Sequence, residues 1–379
     1  MTDPSRETEE IDEYEDDGAG ESQPPSSDEH RFPCGQCGAN LRYSPGQTSM
    51  TCSYCGHEQD IPGASEDERA SALAPLDLHT ALNRDLPESE IEETRVLSCP
   101  NCGAQVEFEA EVHSSECPFC ATPVVTDTGT HRHIKPQGVL PFRLTEAEAK
   151  AAFSKWLKGL WFAPNGLKKY ARRDNRFSGI YVPYWAFDAD TRSNYRGERG
   201  THYYTGSGKR RRRRTRWRRV SGKVARRFQD LLIMAATSLP RRYVRALEPW
   251  HLDDLEPYDP KFISGFRSEG YTVELGAGHR LGRERMEEII RADVRRAIGG
   301  DVQRIHSIDT QYEDEKFKHL LLPLWVAAYR YHDKSYRFVV NAQTGKVRGE
   351  RPWSWVKISL AVLAGLIVIG LFMYFGEAN

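Results

Sequence analysis

"YYTGSGKRRRRRTRWRRVSGK", residues 203–223, is the stretch on which the reading of the fold turns. Thr205-Gly206-Ser207-Gly208-Lys209 has the look of a helicase phosphate loop, and the arginines after it have the look of a nucleic-acid grip. A Walker A loop is G-x4-G-K-[ST], set between a strand and a helix. With Gly208-Lys209 as the Gly-Lys pair, Tyr203 stands where the first glycine belongs and Arg210 where the magnesium-binding hydroxyl belongs. No apolar strand leads in and no amphipathic helix follows at once. The chain around it also has no room for two nucleotide-binding lobes. The loop fails as an ATP site, and neither an ATPase nor a helicase is expected.

What remains is charge. Lys209, Arg210, Arg211, Arg212, Arg213, Arg214, Arg216, Arg218 and Arg219 surround Trp217. Arginines on phosphates release counterions and bind without sequence preference, and a tryptophan stacks on a base. An anionic lipid surface attracts the same cluster. A third reading is a solvated hairpin tip, a basic loop over 209–227 neutralised by the acidic end of the chain. Composition leaves all three open. The net charge of -1 hides the asymmetry, because "RETEEIDEYEDDGAGESQPPSSDEH" opens the chain. With so little apolar surface, residues 1–30 read as a disordered acidic tail.

All eight cysteines fall into C-x2-C pairs: Cys34/Cys37, Cys52/Cys55, Cys99/Cys102 and Cys117/Cys120. Both sets obey C-x2-C-x14-C-x2-C, and the second repeats the first 65 residues on. A glycine or alanine follows the second cysteine of every pair, as a knuckle that turns amides toward sulfur requires. Four thiolates on two knuckles close a tetrahedral Zn2+ site with no open position. Two structural zinc ribbons are therefore expected, at 31–62 and 96–126, joined by a linker at 63–95 with a short helix. Disulfides, a rubredoxin-like iron site or redox C-x2-C pairs are the alternatives.

Between the ribbons and the C-terminus the pattern suggests repetition. "LTEAEAKAAFSKWLKG" carries Thr145 and Glu148 in capping-box spacing, then apolar residues at helical intervals. "GRERMEEIIRADVRRAIGG" repeats the theme with Met286, Ile289, Ile290, Val294 and Ile298 on one face. Each is followed by a proline-led alternating run, "YVPYWAFDAD" and "LLPLWVAAYR", which reads as an antiparallel hairpin with proline at an edge. The expectation is an α+β fold, a duplicated β-α-β-β antiparallel body over 131–350. Asp188 and Asp190 share a strand face but are too few for a hard cation. His131 and His133 add nothing to a ribbon with four thiolates, and His306, His319 and His332 read as structural.

"ISLAVLAGLIVIGLFMYF", Ile358 to Phe375, carries no charge. At ~1.5 Å per residue it approaches the ~30 Å of a hydrocarbon core, so one C-terminal transmembrane helix over 355–376 is expected. Arg348, Arg351 and Lys357 precede it and only Glu377 follows. The positive-inside rule then holds the body in the cytoplasm, at the inner membrane.

From about Phe32 onward the chain resembles bacterial membrane-anchored proteins that carry two zinc ribbons. Besides the cysteine sets, "EETRVLSCPNCGAQ", "LPF", "KWLKGLWFAPN", "YVPYWAFDAD", "DVRRAIGGDVQRIHS" and "YRFVVNAQTGKVRGERPWSWVKI" carry the likeness. Such proteins are commonly labelled primosomal protein N′ (replication factor Y), superfamily II helicase-like. The resemblance implies zinc on the eight cysteines and a membrane location, and it implies no reaction. The arginine run exceeds the family's usual shorter loop. The function expected is a non-enzymatic, membrane-tethered zinc-ribbon adaptor that recruits a cytoplasmic protein. A membrane-associated nucleic-acid binder is the alternative.

Overall fold

The computed structural model describes residues 32–83, 86–99, 101–107, 114–119, 122–125, 129–161, 177–206, 211–331, 334–350 and 354–377. The acidic segment 1–30 lies outside them. The first cysteine module is a small antiparallel sheet of β1 (Leu41–Tyr43), β2 (Ser49–Cys52) and β3 (Glu58–Asp60). Ser65 and Glu68 form the capping box that starts α1 (Glu66–Ala72). β4 (Leu76–Asp77) and α2 (Leu78–Leu82) follow. The second module sets β5 (Ile91–Ser98) between β6 (Gln105–Glu107) and β9 (Gly129–Ile134), with a hairpin of β7 (Ser114–Glu116) and β8 (Pro123–Val125).

Next come β10 (Gly138–Val139), α3 (Glu146–Lys158), β11 (Ser178–Thr205), β12 (Arg212–Met234) and α4 (Arg241–Leu247). The chain continues through β13 (Glu256–Pro257), α5 (Pro260–Ile263), β14 (Arg267–Ser268) and α6 (Leu275–Ile298). It ends with β15 (Val302–Tyr331), β16 (Lys334–Asn341), β17 (Val347–Gly349) and α7 (Trp355–Glu377).

The α+β expectation of two β-α-β-β copies is corrected. The structure is mostly β, with 41% in strands, and its centre is one curled antiparallel sheet. β11, β12 and β15 run for 28, 23 and 30 residues. The two proline-led runs that looked like copies are neighbours in this sheet, with Tyr181 opposite Pro323 and Pro183 opposite Leu321. Neither proline sits on an edge strand. Pro183 falls where β11 changes its outer partner from β14 to β12, and Pro323 where β15 changes from β10 to β16. A missing N–H removes no ladder bond in such a gap.

The strands are long because their distal halves alternate in an unusual vocabulary. Thr191, Ser193, Tyr195 and Gly197 of β11 point one way and are buried, while Arg192, Asn194 and Arg196 point the other way and are exposed. Hydroxyls replace apolar side chains on the inner face, where Thr191 Oγ1 donates to the Arg226 carbonyl at 2.8 Å. Ser193 and Thr310 share a hydroxyl bond of 2.8 Å. Register shifts beside Asp188 on both flanks place Asp230 and Asp314 at φ 51° and 52°. Bulges of this kind bend a strand, and paired ones curl the sheet.

Alternation also sorts the core. Tyr181, Leu321 and Trp325 face the first cysteine module and α3, in one cluster with Cys34, Cys52 and Phe142. Ile180, Val182, Leu320 and Leu322 face the other way, against Cys99, Cys117, Phe119 and α4. The two modules thus grip opposite faces of one sheet. α6 lies on the first face, farther along, and buries Leu275, Gly278, Gly282, Met286, Ile290, Val294 and Ile298 as a single stripe. A Cβ at Gly278 would stand 2.4 Å from Trp185 Cδ1, so only glycine lets the helix settle there.

No helix among the described residues is long and apolar enough to cross a membrane. The expected transmembrane anchor over 355–376 is corrected on that finding. The inner-membrane, cytoplasm-facing location that rested on it is corrected with it. The side chains described in α7 run from Trp355 to Gly370, roughly 24 Å at ~1.5 Å per residue against ~30 Å of hydrocarbon. Lys357 stands in the first turn, its Nζ donating to the Trp161 carbonyl at 3.1 Å. The remainder of the expected span lies outside the residues with described side chains.

Candidate metal centres and a basic sheet face

The sulfur atoms of Cys34, Cys37, Cys52 and Cys55 all lie within 4.8 Å of one another. Their geometry is set by backbone turns. Cys34 N–H donates to Ala39 O at 2.7 Å and Gly38 N–H to Cys34 O at 2.9 Å. The second knuckle repeats the pattern: Cys52 N–H to His57 O at 2.8 Å and Gly56 N–H to Cys52 O at 3.0 Å. Gly38 and Gly56 take φ of 75° and 74°, the left-handed region that glycine occupies without strain. The glycine after each of these two pairs, visible in the sequence, has this cause.

Cys34 and Cys55 are 3.6 Å apart at sulfur, and Cys37 and Cys52 are 3.5 Å apart. A disulfide needs about 2.05 Å. Four thiolates at ~2.3 Å from one ion stand roughly 3.8 Å from each other, so the cluster fits a tetrahedral cation. The thiols split in acidity. N–H groups of Cys55 and Tyr54 pull Cys52 down to about 6. The Gln36 amide, 3.4 Å from Cys34 Sγ, lowers Cys34 as well. The Ala39 amide acts on Cys37 in the same direction, but burial and the neighbouring sulfurs push it up to about 12. A cation at the centre stabilises all four as thiolates.

In the second module Cys99, Cys102 and Cys117 form a cluster of the same kind. Cys102 and Cys117 are 3.6 Å apart at sulfur, and Cys99 N–H and Gly103 N–H close the same knuckle at 2.8 and 2.9 Å. Cys120 lies outside the described residues. Two cysteine clusters that could hold metal ions are thus present. Cys117 of the second also acts electrostatically on a buried carboxyl, Glu269, that no sequence pattern marked. Glu269 Oε2 accepts from Ser238 Oγ at 2.9 Å, and burial raises this carboxyl well above its usual range.

The other candidates find protein partners. Asp188 accepts from the Asp230 N–H at 2.7 Å. Asp190 is held low by a two-pronged pairing with Arg227 at 2.8 and 3.0 Å. His133 packs its ring edge on Tyr271, with centroids 4.6 Å apart. His319 is buried, donates from Nδ1 to the Ile134 carbonyl at 2.7 Å, and is driven down to about 4 by burial. His306 stands 3.8 Å from Glu198. His332 and the side chain of His131 lie outside the described residues.

A second unmarked group lies beneath the bulge of β15. Glu315, its side chain 5% exposed, meets His279 at 2.8 Å and the Arg283 guanidinium at 2.5 Å, both from α6. Burial works to raise this carboxyl, but those hydrogen bonds and charges outweigh it and hold it at about 2. It fastens the helix to the sheet.

The basic stretch is strand rather than loop from Arg212 onward. β12 pairs with β11 from Thr205↔Arg212 down to Tyr184↔Met234 and forms the sheet's edge among the described residues. The segment after Thr205 therefore returns as a strand, not as the helix that a phosphate loop opens. Lys209 and Arg210 lie outside the described residues. Arg211, Arg212, Arg213, Arg214, Arg216, Arg218 and Arg219 are exposed and Trp217 half-buried. None of these arginines forms an ion pair among the described residues, although Arg226 and Arg227 below them pair with Asp293 and Asp190.

No protein-family model matches the chain, and no solved structure matches it. The chain is similar to a Bacillus subtilis (strain 168) protein named Uncharacterized protein YdjG, 23% identical over 337 residues. That match covers 86% of this chain and 92% of the relative. A shorter likeness, 30% identical over 78 residues, is to Transcription factor S of Sulfolobus acidocaldarius, covering 18% of this chain and 66% of that protein.

Proposed function

We propose that this protein is a non-catalytic nucleic-acid-binding protein whose two cysteine tetrads hold structural zinc and whose arginine-rich sheet is the contact surface. Zinc is the ion that four thiolates on C-x2-C knuckles favour, and such a site supplies folding energy rather than chemistry. Cys34, Cys37, Cys52 and Cys55 would hold one ion, and Cys99, Cys102, Cys117 and Cys120 the other.

One observation carries the binding reading: the arginine run is built into a paired strand, and Arg211, Arg212, Arg213, Arg214, Arg216, Arg218 and Arg219 form no ion pair among the described residues. Residues 190–227 hold fifteen Lys/Arg against two Asp/Glu. On a strand, alternate side chains recur every ~6.7 Å. A fixed row of guanidinium groups at that spacing loses little entropy on meeting a polyanion. The partial likeness to a protein named Transcription factor S points the same way.

The test is anisotropy of a labelled dT15 oligonucleotide with the full-length, metal-loaded chain, followed across salt. Affinity is expected to fall steeply, as log K against log salt. Replacing Arg213, Arg214, Arg216, Arg218 and Arg219 with glutamine should flatten the slope by about 0.7 per lost phosphate contact. An unchanged slope in that variant, or anionic lipid vesicles competing as well as nucleic acid, overturns the reading.

A further inference from the structure

The long sheet has two distal faces, and they differ. Directly opposed residues of an antiparallel ladder share a face. Trp185, Phe187 and Arg199 of β11 lie on the α6 side, since Gly278 and Gly282 meet the two rings and Arg199 Nε donates to the Ile298 carbonyl at 2.5 Å. Even-numbered residues of β11 therefore look away from the helix. There Tyr204 pairs with Arg213, His202 with Thr215, and Gly200 with Trp217 and Val302. Three rings thus occupy three consecutive rungs of one face that no helix among the described residues covers, roughly 6.7 Å apart.

Gly200 shapes this face. A Cβ there would lie 3.0 Å from Trp217 Cζ3 and 2.5 Å from Val302 Cγ2, so glycine lets the indole lie across the neighbouring strand. Arg304 of β15 then stacks its guanidinium 4.0 Å over the indole. Arg211 does the same 4.1 Å over Tyr204. His202 between them is fixed by a 3.0 Å bond from its ring to Thr215 Oγ1. Each guanidinium is held over the ring beneath it, and Arg304 Nη1 also stands 3.7 Å from Glu198 Oε2. Duplex bases are edge-on within a groove and cannot reach such planes, whereas unpaired bases can.

We infer that Tyr204, His202, Trp217 and Arg304 form a stacking platform for the unpaired bases of a single-stranded nucleic acid. The inference rests on the nucleic-acid reading above and adds base contact to phosphate contact. Arg213 and Arg219 flank the rings on the same face and follow the backbone of the strand.

Four probes of equal length separate the two claims: dT15, rU15, a fifteen-residue strand of abasic deoxynucleotides, and a fifteen-pair duplex. The abasic strand keeps every phosphate and has nothing to stack. The full chain is expected to bind dT15 and rU15 at least tenfold tighter than the abasic strand, and tighter than a fifteen-pair duplex. Trp217→Ala should remove most of that preference, and Trp217→Phe should keep it, which guards against mere loss of fold. Tyr203→Ala, on the helix-side face, should leave the preference for dT15 over the abasic strand unchanged. The platform is overturned if the abasic strand and dT15 bind alike, and in that outcome a retained salt slope leaves the phosphate reading standing. Absence of binding to every strand removes both claims. Preference for rU15 over dT15 would place the ligand as RNA, equality as either polymer, and both support the platform.

Discussion

Replacing Cys52 with serine is expected to disorder the first cysteine module and to loosen the sheet face beneath it. Cys34 and Cys52 share one buried cluster with Leu41, Tyr43 and Met50 of their own module and with Val139, Phe142, Tyr181 and Trp325 of the body. The module itself offers three strands of three or four residues, too few for an independent core. A bound metal contributes roughly 10–16 kcal/mol of apparent folding energy in small Cys/His modules, more than a typical domain's whole margin of about 5–15. On the proposed reading that this tetrad holds an ion, loss of one ligand removes the module's main support. Tyr43 N–H then releases the Ser264 carbonyl (3.0 Å), and Gly46 N–H releases Phe142 O (2.8 Å). Heating monitored by near-ultraviolet circular dichroism should show a low-temperature step in the variant, and in wild type after strong chelation. A single transition at the wild-type temperature in both would contradict the metal-clamp account.

Acid should unfasten a different joint. Glu315 is held at about 2 in the folded protein, against an ordinary value of 4.5. A depressed carboxyl stabilises the fold above its unfolded value, and that stability drains away as pH falls from about 4.5 toward about 2. The difference corresponds to about 3 kcal/mol, and the side chain is too well covered for solvent to screen much of it. Glu315→Gln should lose roughly that amount at pH 7 in urea unfolding, an order-of-magnitude figure from the same linkage. Its stability should then vary less than wild type's between pH 4.5 and 2. Parallel curves for the two proteins would show that the His279–Glu315–Arg283 joint is not what holds α6.

How much of this was legible in the residues depends on how local the cause is. The cysteine knuckles, the Thr145–Glu148 capping box of α3 and the Met286–Ile298 half of the buried stripe of α6 are encoded within a few positions, and each reads directly, whereas Leu275, Gly278 and Gly282 of that stripe do not. The length of the sheet does not. β11 continues through "TRSNYRGERG" because α6 covers one face with hydroxyls and glycine inside, so no apolar alternation marks the strand. The prolines misled in the opposite sense. They resemble edge markers, yet they fill gaps between successive partner strands that only the assembled sheet creates. Glu315 and Glu269 carry no motif, since their partners come from 32 to 36 and 31 residues away. An uncharged run near the C-terminus spoke for a membrane span, and α7 as described does not have the length and apolarity for one.

The arginine strand gains meaning from the same geometry. A loop of arginines samples many arrangements, whereas a paired strand fixes which charges share a face. The two cysteine clusters pack on opposite faces of the sheet's base, the second in one core cluster with Met234 at the root of that strand, and the distal rungs carry the exposed rings and guanidinium groups.

Zinc K-edge absorption on protein purified without added metal tests that arrangement most directly. The account predicts about two zinc ions per chain, each in a shell of four sulfurs at ~2.3 Å. A chain carrying one ion or none, or sulfur bonded to sulfur at ~2.05 Å, would contradict it.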